Sequence, residues 1–197
     1  MSTFATHIVL AQKVIHHFPN INKAEYFIGT IYPDIRYLNV LSRELTHINP
    51  TIKEGDSAFI IGMKVHNIVD IARDDFVIKN GIYEIYRNIA TISTSSKFYD
   101  DIVLYDKISN WEEISDYVRN ISEEEKKFNV TLEILQKWHS LTLDYIKNPP
   151  NDQSVINVST EIGAAPGKIN EMNIAKNKIL NDRPDYMERF YESFDIQ

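Results

Sequence analysis

An all-α fold is what this sequence predicts, on three grounds. Six glycines and seven prolines in 197 residues leave long stretches without chain punctuation. Apolar residues recur at three and four residue spacing, and capping signals stand where those runs begin and end. Phe4, Ile8, Ala11, Val14, Ile15 and Phe18 make 3–18 an amphipathic helix, with Ser2 or Thr3 as its cap. A second helix is expected from Asn22 to Ile31, ended by Pro33, which disfavours helical angles at Tyr32. Residues 34–50 are polar and flanked by proline, so they read as an active loop. From Gly55 to about Asn80, Phe59, Ile60, Gly62, Met63, Val65, Val69 and Ile71 describe a long, largely buried helix that Asn80-Gly81 closes. Further on, 82–92 reads as a helix, Ser93 to Ser96 as a linker and 111–119 as a short helix. Ser122 with Glu125 forms a capping box that opens a helix to about Ile146, stopped by Pro149-Pro150. Gly163-Ala-Ala-Pro-Gly167 is a loop or lid candidate, and the last helical stretch breaks near Asp182-Arg-Pro184. No repeat or low-complexity tract interrupts this series, which reads as a bundle of six to eight helices.

Composition narrows the chemistry. A chain of this length forms one domain, 1–197, with enough core to need no staples. Without cysteine it has no disulfides, thiolate zinc sites, iron–sulfur clusters or cysteine nucleophiles. Its 21 basic and 28 acidic residues give a net charge of −7 spread along the chain, which argues against an extended nucleic-acid groove. The best apolar runs, such as 8–15 and 58–63, fall far short of the roughly 20 residues a membrane crossing needs. The opening residues carry no basic region followed by a long apolar one, so no signal peptide is seen. A cytoplasmic location is the default expectation, with secretion by another route left open.

Five of the six histidines lie in the first 70 residues: His7, His16, His17, His47 and His66. His7 sits between Phe4 and Ile8, one turn before Ala11, and so points inward. His66 and Asp70 stand four apart on the long helix, which puts an imidazole and a carboxylate on one buried face. A buried aspartate is costly unless it is paired or bound to metal. His16 and His17 end the first helix, where they complement its dipole, and are set aside. His139 beside Trp138 reads as packing, and 123–127 as a solvated helix start. Neutral imidazoles and carboxylates are the ligands zinc takes where thiolates are lacking. Three histidines with two aspartates supply five. With Asp70 bridging, they fill six of the eight or so positions that two tetrahedral ions require. The open positions indicate a catalytic site, in which two ions about 4 Å apart activate water and hold a phosphate oxygen.

Taken in order, Thr6-His7, Ile28-Gly-Thr-Ile-Tyr-Pro-Asp34 with Arg36, Thr46-His47, Ala58-Phe-Ile-Ile-Gly62 and His66-Asn-Ile-Val-Asp70 resemble the zinc-dependent phospholipase C family, related in fold to the S1/P1-type nucleases. The similarity covers residues 3 to about 75. It implies a helical bundle of that type, with a metal-site half at about 3–80 and a C-terminal helical part at about 81–197. It implies one ion held by residues matching Asp34, His47, His66 and Asp70, and a second that shares Asp70 and takes His7. In the secreted members the mature N-terminal residue completes the second site. Here Met1 lies six residues before His7 and would have to fold back. Those members also hold a further ion, through a histidine about six residues past the helix aspartate and a later His-x-x-x-Glu or His-x-x-x-Asp pair. This chain has Phe76 there and no histidine until His139, although Tyr99-Asp-Asp-Ile-Val-Leu-Tyr-Asp106 offers carboxylates. A reduced site with one or two zinc ions, or another divalent metal, is the expectation.

The expected activity is hydrolysis of a phosphoester, with a metal-activated water as nucleophile and Asp34 or Asp70 orienting or deprotonating it. Arg36 is the candidate contact for substrate phosphate. The substrate class is a small phosphoester or a phospholipid head group. Two alternatives stand beside it: an S1/P1-like nuclease, and a non-catalytic helical binding or effector module that keeps the metal for structure. The missing adjacent His-Asp pair argues against a phosphohydrolase of the HD-domain type.

Overall fold

A computed structural model describes residues 4–196, which contain twelve α-helices, three 3-10 segments and no strand. Several helices are single turns, which is why the number exceeds the six to eight expected. Helix α1 (Phe4–Val14) is buried on almost every side, so it runs through the core instead of lying on it. Helix α2 (Lys23–Ile31) is opened by the Asn22 side chain, which accepts from the Glu25 N–H. Tyr32 departs from expectation. It keeps helical angles (φ −60°, ψ −40°) as the chain tightens into a 3-10 segment, Tyr32–Leu38, with Pro33 in its first turn. There the missing proline N–H costs nothing, because an opening turn has no partner for it. The expected loop over 34–50 therefore holds ordered turns, including the short α3 (Arg43–Thr46).

Helix α4 (Ala58–Lys79) starts at Ser57, whose side chain accepts from the Ile60 N–H, and ends at Asn80 and Gly81, the latter at φ +65°. Helices α2 and α4 touch backbone to backbone. A methyl group at Gly29 would stand 2.1 Å from the Phe59 carbonyl oxygen, and one at Gly62 would stand 2.2 Å from that of Tyr26. Neither position has room for any other residue, and this contact seats α2 and α4 in a fixed register.

The second half corrects more of the expectations. Only Ile82–Ile85 forms a helix (α5), since Ile82 and Tyr86 alone find a deeply buried face, and a helix lacking one is marginal. The expected serine linker opens α6 (Ile92–Leu104) instead. Ser95 donates to the Thr91 carbonyl and Ser96 to the Ser93 carbonyl, so their hydroxyls are satisfied within a buried helix. Helix α7 (Trp111–Val118) follows. The capping box at Ser122 and Glu125 is present, but α8 (Glu123–Lys126) ends at once, as Asn129 adopts φ +58° and Thr131 starts α9 (Leu132–Ile146). Helix α10 (Asp152–Glu161) precedes α11 (Pro166–Asp182), so Gly167 lies within a helix and the loop is shorter than expected. Helix α12 (Tyr186–Ser193) closes the chain, with α6 packed against α1, α11 and α12. No described helix is long and apolar enough to cross a membrane.

Candidate metal centre

Five polar side chains from four separate segments converge beneath the α2–α4 contact. His7 comes from α1, Asp34 from the 3-10 segment, His47 from the residue after α3, and His66 and Asp70 from consecutive turns of α4. All five side chains are less than a tenth exposed. Asp70 occupies the middle and turns its two oxygens to different partners. Oδ1 lies 3.5 Å from His7 Nε2, while Oδ2 lies 3.3 Å from His47 Nε2 and 3.8 Å from His66 Nε2. Asp34 Oδ1 is 3.9 Å from His66 Nε2. The imidazoles of His7 and His66 stack with centroids 3.7 Å apart, and His47 meets His66 edge-on. Two overlapping triads have their donor atoms within 4.8 Å of one another: His7, His66 and Asp70, and Asp34, His47 and His66.

The orientation of these groups is set from outside the cluster. His66 Nδ1 donates to the Thr30 carbonyl at 2.8 Å, which leaves the Nε2 lone pair facing Asp70 and Asp34. That carbonyl is in reach because Gly29 and Gly62 let the helices close up. His47 Nδ1 lies 3.0 Å from Thr46 Oγ1, whose own proton points to the carbonyls of Ser42 and Arg43, so His47 presents Nε2 in the same way. Asn67 donates to the Ile48 carbonyl at 2.7 Å and pins the loop just past His47. Thr30, Thr46 and Asn67 were not anticipated from sequence. All three lie in segments quoted above for the resemblance, where nothing in the residue types assigns them a role.

What remains unmet is as informative as what is bonded. Both nitrogens of His7, Nε2 of His47 and His66, and Oδ1 of Asp34 and Asp70 are buried without a hydrogen-bond partner. Burial, reinforced by the neighbouring His66, lowers the His7 pKa to about 4, and burial lowers that of His66 to about 3. Both are therefore neutral near pH 7, the form in which imidazole donates a lone pair. Burial works to raise the Asp70 carboxyl, but the imidazoles of His47 and His7 outweigh it and hold the group well below the usual carboxylate range. Burial leaves Asp34 raised. More buried acceptors and lone pairs face one another here than the one N–H of a neutral His7 can satisfy, and a divalent cation is a group that would satisfy several of them at once.

Arg36 stands at the edge of the cluster, with Nη2 3.7 Å from Asp34 Oδ1 and its guanidinium over the Tyr37 ring. Two of the three carboxylates of the acidic stretch after Tyr99 are engaged elsewhere. Asp100 binds the fully buried Arg73 at 2.7 Å and Tyr186 at 2.9 Å, and Asp101 accepts from the Thr6 N–H and hydroxyl. Ser96 accepts from Arg73 as well. Glu125, within the run read as solvated, is fully buried against His139. The proposed closure by Met1 lies outside the described residues. Compared with models of protein families, with curated proteins and with solved structures, the chain matches none.

Proposed function

We propose that the protein is a metal-dependent hydrolase of phosphoesters, similar in bundle and site to the zinc-dependent phospholipases C, with His7, Asp34, His47, His66 and Asp70 holding one or two zinc or other divalent ions. The observation that carries this reading is the convergence of buried, unpartnered nitrogen and oxygen atoms from His7, Asp34, His47, His66 and Asp70. The two-sided approach of Asp70 supports a bridging role, with His7 on one side and His47 and His66 on the other. When bound, the ions supply Lewis-acid polarisation of a phosphoryl oxygen and lower the pKa of a water. Asp34 or Asp70 would orient a water and take one of its protons as its oxygen attacks phosphorus, and that proton would pass to the leaving alcohol oxygen as its bond to phosphorus breaks. Arg36 offsets negative charge on the phosphoryl oxygens from beside Asp34.

The depth of the cluster favours one second reading, a helical binding module that keeps the metal for structure. Elemental analysis of protein purified without added metal, followed by assay on bis(p-nitrophenyl) phosphate, separates the two. Bound metal with turnover is expected. Bound metal without turnover selects the module, and the absence of metal together with unchanged melting on chelation overturns both.

A further inference from the structure

Two arginines of this chain are held in very different ways. Arg73 is fully buried and spends its donors: Nε on Asp100 at 2.7 Å, Nη2 on Ser96 at 2.8 Å, and Nη1 on Tyr83 at 2.8 Å and Asp74 at 3.1 Å. Arg36, beside the metal cluster, is mostly buried but poorly bonded. Its Nη2 donates to the hydroxyl of its own neighbour Tyr37, its guanidinium lies over that ring, and its Nε is buried without a partner. The carboxylate it faces, Asp34 Oδ1, stands 3.7 Å from Nη2, beyond the reach of a hydrogen bond. Arg36 is therefore drawn to Asp34 by charge and is not bonded to it. Room to move lies on its other side, where Arg36 and Tyr37 line a cavity of about 660 Å³ bounded opposite by residues 162–165 and the start of α11. The five clustered histidines and aspartates are not part of that lining. Arg36 thus touches the centre on one side and open space on the other. Tyr37 shares the face of Asp34, because residues three apart eclipse in the 3-10 segment that carries both.

We propose that Arg36 is a displaceable counter-cation of the metal centre, which competes with a divalent ion for Asp34 and turns out towards the cavity when the ion binds. This rests on the metal-dependent reading above. An ion held by Asp34 neutralises the charge that attracts Arg36 and sets a second positive charge beside it, at a depth where solvent and salt screen the repulsion weakly. The only hydrogen bond the guanidinium would break is to Tyr37, which lines the same cavity and can turn with it. The effect is reciprocal: an inward Arg36 weakens ion binding by the same factor by which the ion disfavours the inward position. Turned inward, the side chain closes the centre on the side of the cavity. Turned outward, it opens that side and carries its charge to where a phosphoester would enter, so that filling the centre also readies the contact with substrate.

Phenylglyoxal, which modifies accessible guanidinium groups, reads the position of Arg36 directly. Zinc-loaded protein, its metal content measured, is compared with the same protein stripped by chelation, and the adducts are assigned by peptide mass spectrometry. Arg36 is expected to react at least fivefold faster in the loaded protein. Arg73, fully buried, and Arg119, exposed at the end of α7, are internal controls whose rates should not depend on the metal. A second measurement separates charge from packing. In competition with a chromophoric chelator, Arg36→Gln is expected to hold zinc at least tenfold more tightly than the unaltered protein, and Arg36→Lys to stay within threefold of it. An Arg36 that reacts no faster with zinc measured in place overturns the proposal, as does an Arg36→Gln variant that binds zinc no more tightly. If stripping makes Arg73 reactive, the protein has unfolded and the affinity series decides. Failure of the metal reading is distinguishable, because the unaltered protein would then take up no zinc at all, an outcome that removes the proposal with it.

Discussion

Two buried histidine settings in this chain, one in each half, have opposite chemistry. His139 is buried like His7 and His66, yet both its nitrogens are used. Nδ1 donates to the Val118 carbonyl, and Nε2 donates to Glu125 Oε1 at 2.8 Å. Glu125 in turn accepts the Ser122 N–H at 2.8 Å. Burial opposes the charged imidazole there, but Glu125 outweighs it and the pKa is raised. In the first half, burial prevails and the imidazoles of His7 and His66 are neutral. The same residue type at the same depth thus has both nitrogens bonded in one place and unpartnered nitrogens facing carboxylates in the other. Burial alone does not separate the two settings; the unpartnered nitrogens do.

The sharpest way to break this contrast is His66→Ala. Loss of an outer partner of a ligand commonly costs ten- to a hundredfold in metal affinity or activity, so loss of a direct ligand should cost more than about a hundredfold in both. Elemental analysis and phosphodiester turnover check it, and a variant that keeps its metal would falsify the assignment. His139→Leu should do the reverse. It leaves Glu125 as a buried, uncompensated charge, at a cost of about 3–5 kcal/mol in urea unfolding, with metal content unchanged.

A subtler effect is pH dependence. A histidine whose pKa is raised on folding stabilises fully below the unfolded value of 6.5 and loses that contribution as pH rises through the folded value. The difference in unfolding midpoint between the unaltered protein and His139→Gln should therefore shrink from pH 6 towards pH 9. A constant or growing difference would show that folding does not raise the His139 pKa. The smallest effect belongs to the exposed histidines. His17 pairs with Asp195 at 2.7 Å beside His16, a cluster with metal-like spacing but open to solvent. His17→Ala should cost less than about 1 kcal/mol and leave the metal content as it was.

Sequence reading reached the all-helical class and the five clustered residues, because helical periodicity places His7, His66 and Asp70 on buried faces without reference to anything distant. It misjudged Ser93 to Ser96, since whether a serine breaks a helix or bonds back into one depends on its neighbours, and Ser96 finds Arg73 from another helix. It also misjudged Glu125, whose partner lies fourteen residues away and across a break at Asn129. The Thr30 carbonyl that orients His66 was out of reach for a different reason: a main-chain oxygen has no residue signature. The engagement of Asp100 by Arg73, one turn beyond Asp70 on α4, follows the same pattern. A guanidinium and a carboxylate 27 residues apart in sequence cannot be paired until the helices are placed.

The glycine contact between α2 and α4 bears on which metal the centre would accept. Raw affinity for divalent ions follows a general order that five nitrogen and oxygen donors do little to change, so discrimination has to come from geometry. Here the helix that carries His66 and Asp70 meets α2 backbone to backbone, with carbonyl oxygens about 2 Å from where a methyl would stand on each side. An ion that prefers other spacings would have to move two helices, not two side chains. Selection among ions at such a centre would therefore lie in the main chain, at two residues that would never touch the ion.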